Sequence, residues 1–341
     1  MSIGGRKVKS WAAAASVVLA LVAGPKAMAA CNMRMMAELP LRLEAGALYT
    51  DVVVNGRDAR AELSSGSQES AVAGWALAKL GLTQQATGAN LVTVKGTGSA
   101  YYTLVPTMKL GAIVAKDAPF FVTGSPADKA RGPEVILGSR FFVQSDVEFD
   151  LAHGKLRLFQ PEGCKDDEVL YWGGAYSVTP LLANEEGYNK LRFTVQLNGQ
   201  PTEAELVSGD SFSTLSAGAA AHAGGRPAPG AAVDYTYETV RPEIFNSFAI
   251  DQEAMKNVTL AVTTLNNRFA SDNLGTRLGS NLYVRPLSLG ADFIAAHRIL
   301  VANSQRKLYL TYAGGRVFTI PTPDDGKAKT EAVAGAGATP P

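Results

Sequence analysis

Hydrophobic and polar positions alternate with period two over much of the chain. In LYTDVVVNG, residues 48–56, and RFTVQLNG, residues 192–199, runs of Val, Thr, Tyr and Phe end in Asn-Gly. Both residues tolerate positive φ, so each run predicts a strand closed by a tight hairpin, with ARAEL (59–63) and TEAEL (202–206) returning as partners. The segment VEFDLAHGKLRLF, residues 147–159, repeats the device with His153-Gly154 at the turn. A helical pattern is rarer. ESAVAGWALAKLGL, residues 69–82, brings Val72, Leu77 and Leu80 near one face and ends at Gly81, predicting a short helix.

The strand pattern occurs twice. VVVNGRDARAELSSGSQES (52–70) and VQLNGQPTEAELVSGDSFS (195–213) share Val, Asn-Gly, Ala-Glu-Leu, Ser-Gly and a final Ser in step, at an offset of 143. ILGSRFFVQSDVEFDLAHGKLRLF (136–159) pairs with SLGADFIAAHRILVANSQRKLYLT (288–311) at an offset of 152. The second copy therefore holds about nine extra residues, expected to include HAGGRPAPGAA (222–232). The repeat predicts two mainly-β lobes, 38–165 and 176–320, each with one short helix, linked through DDEVLYWGGAY. Residues 321–341 lack apolar periodicity and are expected to be a disordered tail.

Composition adds little beyond a normal globular balance: 341 residues, 46% hydrophobic and 18% charged. With 32 Lys and Arg against 31 Asp and Glu, nothing points to nucleic acid. The N-terminus is more informative. Arg6, Lys7 and Lys9 precede an apolar run from Trp11 to Ala23, and Ala27–Ala29 offers a signal-peptidase site. Residues 1–29 are read as a signal peptide, too short in its apolar run for a stable membrane span, which predicts a periplasmic or secreted protein. Cys31 and Cys164 are the two cysteines, and an oxidising compartment favours a disulfide between them. Acylation of Cys31 as a lipoprotein is the alternative. His153, His222 and His297 are scattered, expected at solvated or turn positions, and no metal or other cofactor is expected.

On these motifs the chain resembles the bacterial retropepsin-like aspartic peptidases, in an arrangement with two lobes fused. In that family a strand, an Asn-Gly hairpin and a second strand lead into Asp-Thr/Ser-Gly, and a helix, a flap hairpin and an Ile-Leu-Gly segment follow. Ser65-Gly66 and Ser208-Gly209 match the ends of the two motifs, VKGTGSAYYT with Gly96, Thr97 and Gly98 lies at the first flap, and VILGSRFF and LSLGADF supply the Leu-Gly elements. The resemblance implies a bilobal pepsin-like fold, with the Ser65 and Ser208 hydroxyls bonding across to the opposite loop.

The aspartates are missing: Ser64 and Val207 occupy the two catalytic positions. Two close carboxylates share one proton and supply base and acid together, which serine and valine cannot do. Asp210 is shifted by three residues and faces Ser67 in the repeat, Asp292 is matched by Arg140, and Asp146 and Asp150 read as solvated residues flanking a hairpin. No Gly-x-Ser-x-Gly elbow supports a serine nucleophile. The leading expectation is thus a monomeric pseudopeptidase holding an extended peptide or a protein partner between its lobes. The rivals are a divergent active aspartic endopeptidase and a structural protein with a closed cleft.

Overall fold

The computed structural model of the chain describes residues 31–93, 96–130, 132–184, 189–230, 232–234, 238–265 and 285–322. Residues 1–29, expected to be a signal peptide, and the expected tail beyond residue 322 lie outside the described residues.

The Asn-Gly turns form as their sequence requires. Asn55 and Gly56 take φ of 50° and 77°, and Asn198 and Gly199 take 52° and 75°, the left-handed pair that matches strand twist. Each asparagine also ties its hairpin to the lobe. Asn55 donates to the Leu80 carbonyl (3.1 Å) and accepts from the Thr107 amide (3.2 Å). Asn198 repeats this with Ala223 (2.7 Å) and Ser247 (3.1 Å).

Both lobes are mainly β and follow one strand plan. In the first, Ala47–Val54 pairs with Arg57–Leu63, which runs parallel to Val135–Leu137; that strand is antiparallel to Ala71–Ala73, itself parallel to Ile113–Thr123. In the second, Arg192–Leu197, Gln200–Leu206, Leu287–Leu289, Thr214–Ser216 and Glu253–Leu265 repeat the order and the sense of each pairing. Each sheet then curls back on its first hairpin, Val54 opposite Met108 and Leu197 opposite Phe248. A six-stranded sheet joins the lobes, in the order Asn32–Pro40, Lys155–Glu162, Asp146–Asp150, His297–Ala302, Lys307–Tyr312, Ser177–Pro180. Val147, Phe149, Ile299 and Val301 from its middle strands enter the same apolar core as Leu63 and Leu206.

Several expectations need correction. The helix expected over 69–82 shrinks to Leu77–Leu80, because Ala71–Ala73 is captured as a strand between Phe121–Thr123 and Val135–Ile136. Each lobe gains a further short helix after its Leu-Gly element, Ser139–Phe142 and Ala291–Ala296, beside Leu77–Leu80 and Ala217–His222. The extra residues of the second copy are not at 222–232. Pairing registers place Ala71 with Phe121 and Thr214 with Ala261, so the copies are 140 apart there; the lengthening lies between Thr263 and Leu287, 24 positions against 12 from Thr123 to Val135. Asp146 and Asp150 are buried, since their strand is interior to the six-stranded sheet. Asp146 accepts from the Ser304 amide and hydroxyl, both at 2.8 Å. Arg157 holds Asp150 (3.0 Å) and the buried Glu148 (2.6 Å), and Arg298 from the second lobe also bonds Glu148 (3.0 Å). His297 is buried too, between the Phe293 carbonyl (2.7 Å) and Glu253 (2.9 Å); His153 remains an exposed turn residue.

Cys31 and Cys164 form a disulfide across 133 residues, so the Cys31 sulfur is not the free thiol that acylation needs. It pins the start of Asn32–Pro40 to the end of Lys155–Glu162 at an edge of the interlobe sheet. Replacing both cysteines by serine is expected to lower stability by about 2–4 kcal/mol. Urea unfolding of the two proteins without reductant checks this, and equal midpoints would contradict it.

Candidate functional site

The two motif loops meet at the lobe boundary. Leu63 and Leu206 end their strands fully buried, and the next amides turn onto the Leu-Gly strands: Ser64 donates to the Leu137 carbonyl and Val207 to that of Leu289, each at 2.9 Å. The loops then fold back, Ser67 onto Ser64 (3.0 Å) and Asp210 onto Val207 (3.1 Å). Gly138 and Gly290 donate to Ser70 Oγ and Ser213 Oγ, each at 3.0 Å. A methyl group on Gly138 would collide with the Glu69 carbonyl, and one on Gly290 would lie 2.7 Å from the backbone of Phe212. Only glycine allows this closure under both loops.

Four hydrogen bonds then cross between the lobes. Ser65 Oγ donates to the Leu206 carbonyl (2.7 Å) and accepts from the Ser208 amide (3.0 Å). Ser208 Oγ donates to the Leu63 carbonyl (2.7 Å) and accepts from the Ser65 amide (3.0 Å). Both serines are fully buried. The loops come so close that a methyl on Gly66 would lie 2.6 Å from Val207 Cγ1, and one on Gly209 2.8 Å from Ser64 Oγ. Ser64 and Val207 thus each pack on the glycine of the other lobe. Ser64 Oγ also shares a hydrogen bond with Ser67 Oγ (2.8 Å).

No carboxylate stands at these two positions. Asp210 accepts from Ser288 Oγ at 2.6 Å. Asp292 is buried, which pushes its carboxyl above the ordinary value despite hydrogen bonds from Ser213 (2.7 Å) and the Phe293 (2.8 Å) and Thr319 (2.9 Å) amides. Arg140, its counterpart, pairs with Glu69 at 2.9 Å. Among the described residues no group of His, Cys, Asp and Glu is arranged for a metal ion. The backbone at Gly96, Thr97 and Gly98 pairs with Thr93, Val92 and Leu91 in a hairpin; residues 94 and 95 at its tip lie outside the described residues.

Sequence reasoning missed the charged residues beside the loops. Glu62 and Glu205 are equivalent in the repeat, each two positions before Ser64 or Val207, on the face opposite the buried Ala61 and Leu63 or Ala204 and Leu206. Burial raises the Glu62 carboxyl, and the charge of Arg60 acts against it. Glu205 is 1% exposed and is held by Arg285 (3.0 Å) with Lys190 at 3.4 Å. Lys190 also donates to the Gly66 carbonyl of the other lobe at 2.6 Å. The repeated Ala-Glu-Leu was the signal for the glutamates. Nothing local marked Lys190 or Arg285.

Residues 50–141, spanning most of the first lobe, match the family model described as aspartyl protease. No curated protein matches the chain. Among solved structures, the crystal structure of the aspartic proteinase from Irpex lacteus aligns over 81% of this chain and 97% of its own, with 12% identity and a TM-score of 0.45.

Proposed function

We propose, from a first lobe that falls with the aspartyl proteases and a second that repeats it, that the protein is an exported pseudopeptidase holding an extended peptide or a partner protein between its lobes without cutting it. The observation that carries this reading is the conserved plan of the two loops around an emptied chemistry: all four cross-lobe bonds of Ser65 and Ser208 are present, while Ser64 and Val207 stand where acid and base are needed. Without a shared proton, neither activation of water nor protonation of the leaving group has a donor and acceptor in place. Peptide binding needs no such pair, because main-chain bonds to a flap edge suffice to hold an extended chain. Export is supported by the N-terminal segment and the disulfide.

The mature protein assayed from about pH 3 to 7 against mixed peptides is expected to show no cleavage sensitive to transition-state mimics of a carboxylate dyad. Reproducible cleavage lost in Glu62→Gln or Glu205→Gln would overturn the reading and give that carboxylate the catalytic role.

A further inference from the structure

We infer that the interlobe site selects an acidic peptide, one of whose carboxylates sits on Arg285 and Lys190 beside Val207. This rests on the peptide-binding reading above and adds the chemistry of the occupant. The two cations share one buried anion. Glu205 Oε2 takes the Arg285 Nε–H at 3.0 Å, while Glu205 Oε1 has no hydrogen-bond partner among the described residues and lies 3.4 Å from Lys190 Nζ. The remaining contacts of both cations go to a neutral group, the Gly66 carbonyl, 2.6 Å from Lys190 Nζ and 3.4 Å from Arg285 Nη2. Among the described residues, one positive charge of the cluster is therefore uncompensated.

Its position is what gives this excess a use. A methyl on Gly66 would lie 3.3 Å from Arg285 Nη2 and 2.6 Å from Val207 Cγ1, so the guanidinium and Val207 flank the same glycine. An acid at 207 would have been a local counter-ion, and valine removes it. Arg285 remains one-third exposed, and its Nη1 donors have no hydrogen-bond partner among the described residues. A guanidinium with a free edge matches a carboxylate in two-point geometry. The first lobe lacks the pair, since Ala47 and Pro133 stand at the equivalent positions. The cationic seat is therefore confined to the second lobe's half of the site and would fix the direction in which a peptide lies.

The test uses the mature chain and three fluorescein-labelled pools of degenerate octapeptides. Two are blocked at both ends, with Glu or Gln fixed at the fourth position, and the third keeps Gln but ends in a free carboxylate. By fluorescence anisotropy the Glu pool is expected to bind about tenfold more tightly than the blocked Gln pool at low salt, with the gap closing as salt is raised. Arg285→Gln should remove the gap, with circular dichroism and the urea midpoint reporting that the variant is folded; Lys190→Met should narrow it. Glu205→Gln should widen it by releasing both cations. A free-carboxylate pool that binds more tightly than the Glu pool would assign the seat to a chain end and still support it. Equal binding of all three pools would overturn the acidic preference and leave peptide binding standing. Binding of none would overturn the peptide-binding reading and this inference with it.

Discussion

Ser65→Ala is expected to destabilise the protein by about 2–5 kcal/mol, far more than an exposed serine would cost. Its hydroxyl serves two partners in the other lobe, the Leu206 carbonyl at 2.7 Å and the Ser208 amide at 3.0 Å, in a fully buried setting. Removing it leaves a donor and an acceptor without partners or water, at about 1–3 kcal/mol each. Ser208→Ala should match it, because the bonds from Ser208 Oγ to the Leu63 carbonyl and the Ser65 amide have the same lengths. Urea unfolding measures both. A shift below about 0.5 kcal/mol in either variant would mean that the two lobes do not depend on this crossing.

The other large effect is expected at Asp292. Asp292→Ala removes the acceptor for the Ser213 hydroxyl and for the amides of Phe293 and Thr319, all in a site that is 6% exposed. The loss should be about 3–5 kcal/mol, reduced if Ser213 finds another acceptor. Thr319 lies in the segment after the last strand, so that segment should loosen as well. The cost also has a pH dependence of defined sign. Burial holds this carboxyl above its ordinary 3.8 in the folded protein, so the folded state retains the proton that the unfolded chain loses first. Its contribution is fully present below about 3.8 and declines as pH rises through the folded value. The difference in stability between the native protein and Asp292→Ala should therefore be larger near pH 4 than near pH 7. A difference that grows with pH would contradict the assignment.

What was legible in the sequence was whatever depends on position within a tight turn. Asn55-Gly56, Asn198-Gly199 and the Ser-Gly pairs each occupy a place that few residue types can fill, so the repeat registered them in step, and the cross-lobe bonds of Ser65 and Ser208 followed from the resemblance. Elements decided by distant partners were not legible. Val72, Leu77 and Leu80 fit a helix face, yet Ala71–Ala73 is drawn into a sheet by strands some 50 and 65 positions later. DVEFD alternates like a half-exposed hairpin, but it lies in a sheet shared by both lobes, where Arg298 and Arg157 neutralise Glu148 and Asp150 and Ser304 bonds Asp146. The Glu205 cluster escaped for the same reason: Lys190, Arg285 and Gly66 come from three separate stretches and two lobes.

The claim at the centre is that the interlobe site holds peptide intact. Incubating the mature protein with a degenerate peptide pool near pH 5, isolating the complex by gel filtration and reading the released peptides by mass spectrometry tests it directly. Enrichment of full-length peptides, with no products in the unbound fraction, is the predicted result; truncated peptides sharing a common cut site would contradict it.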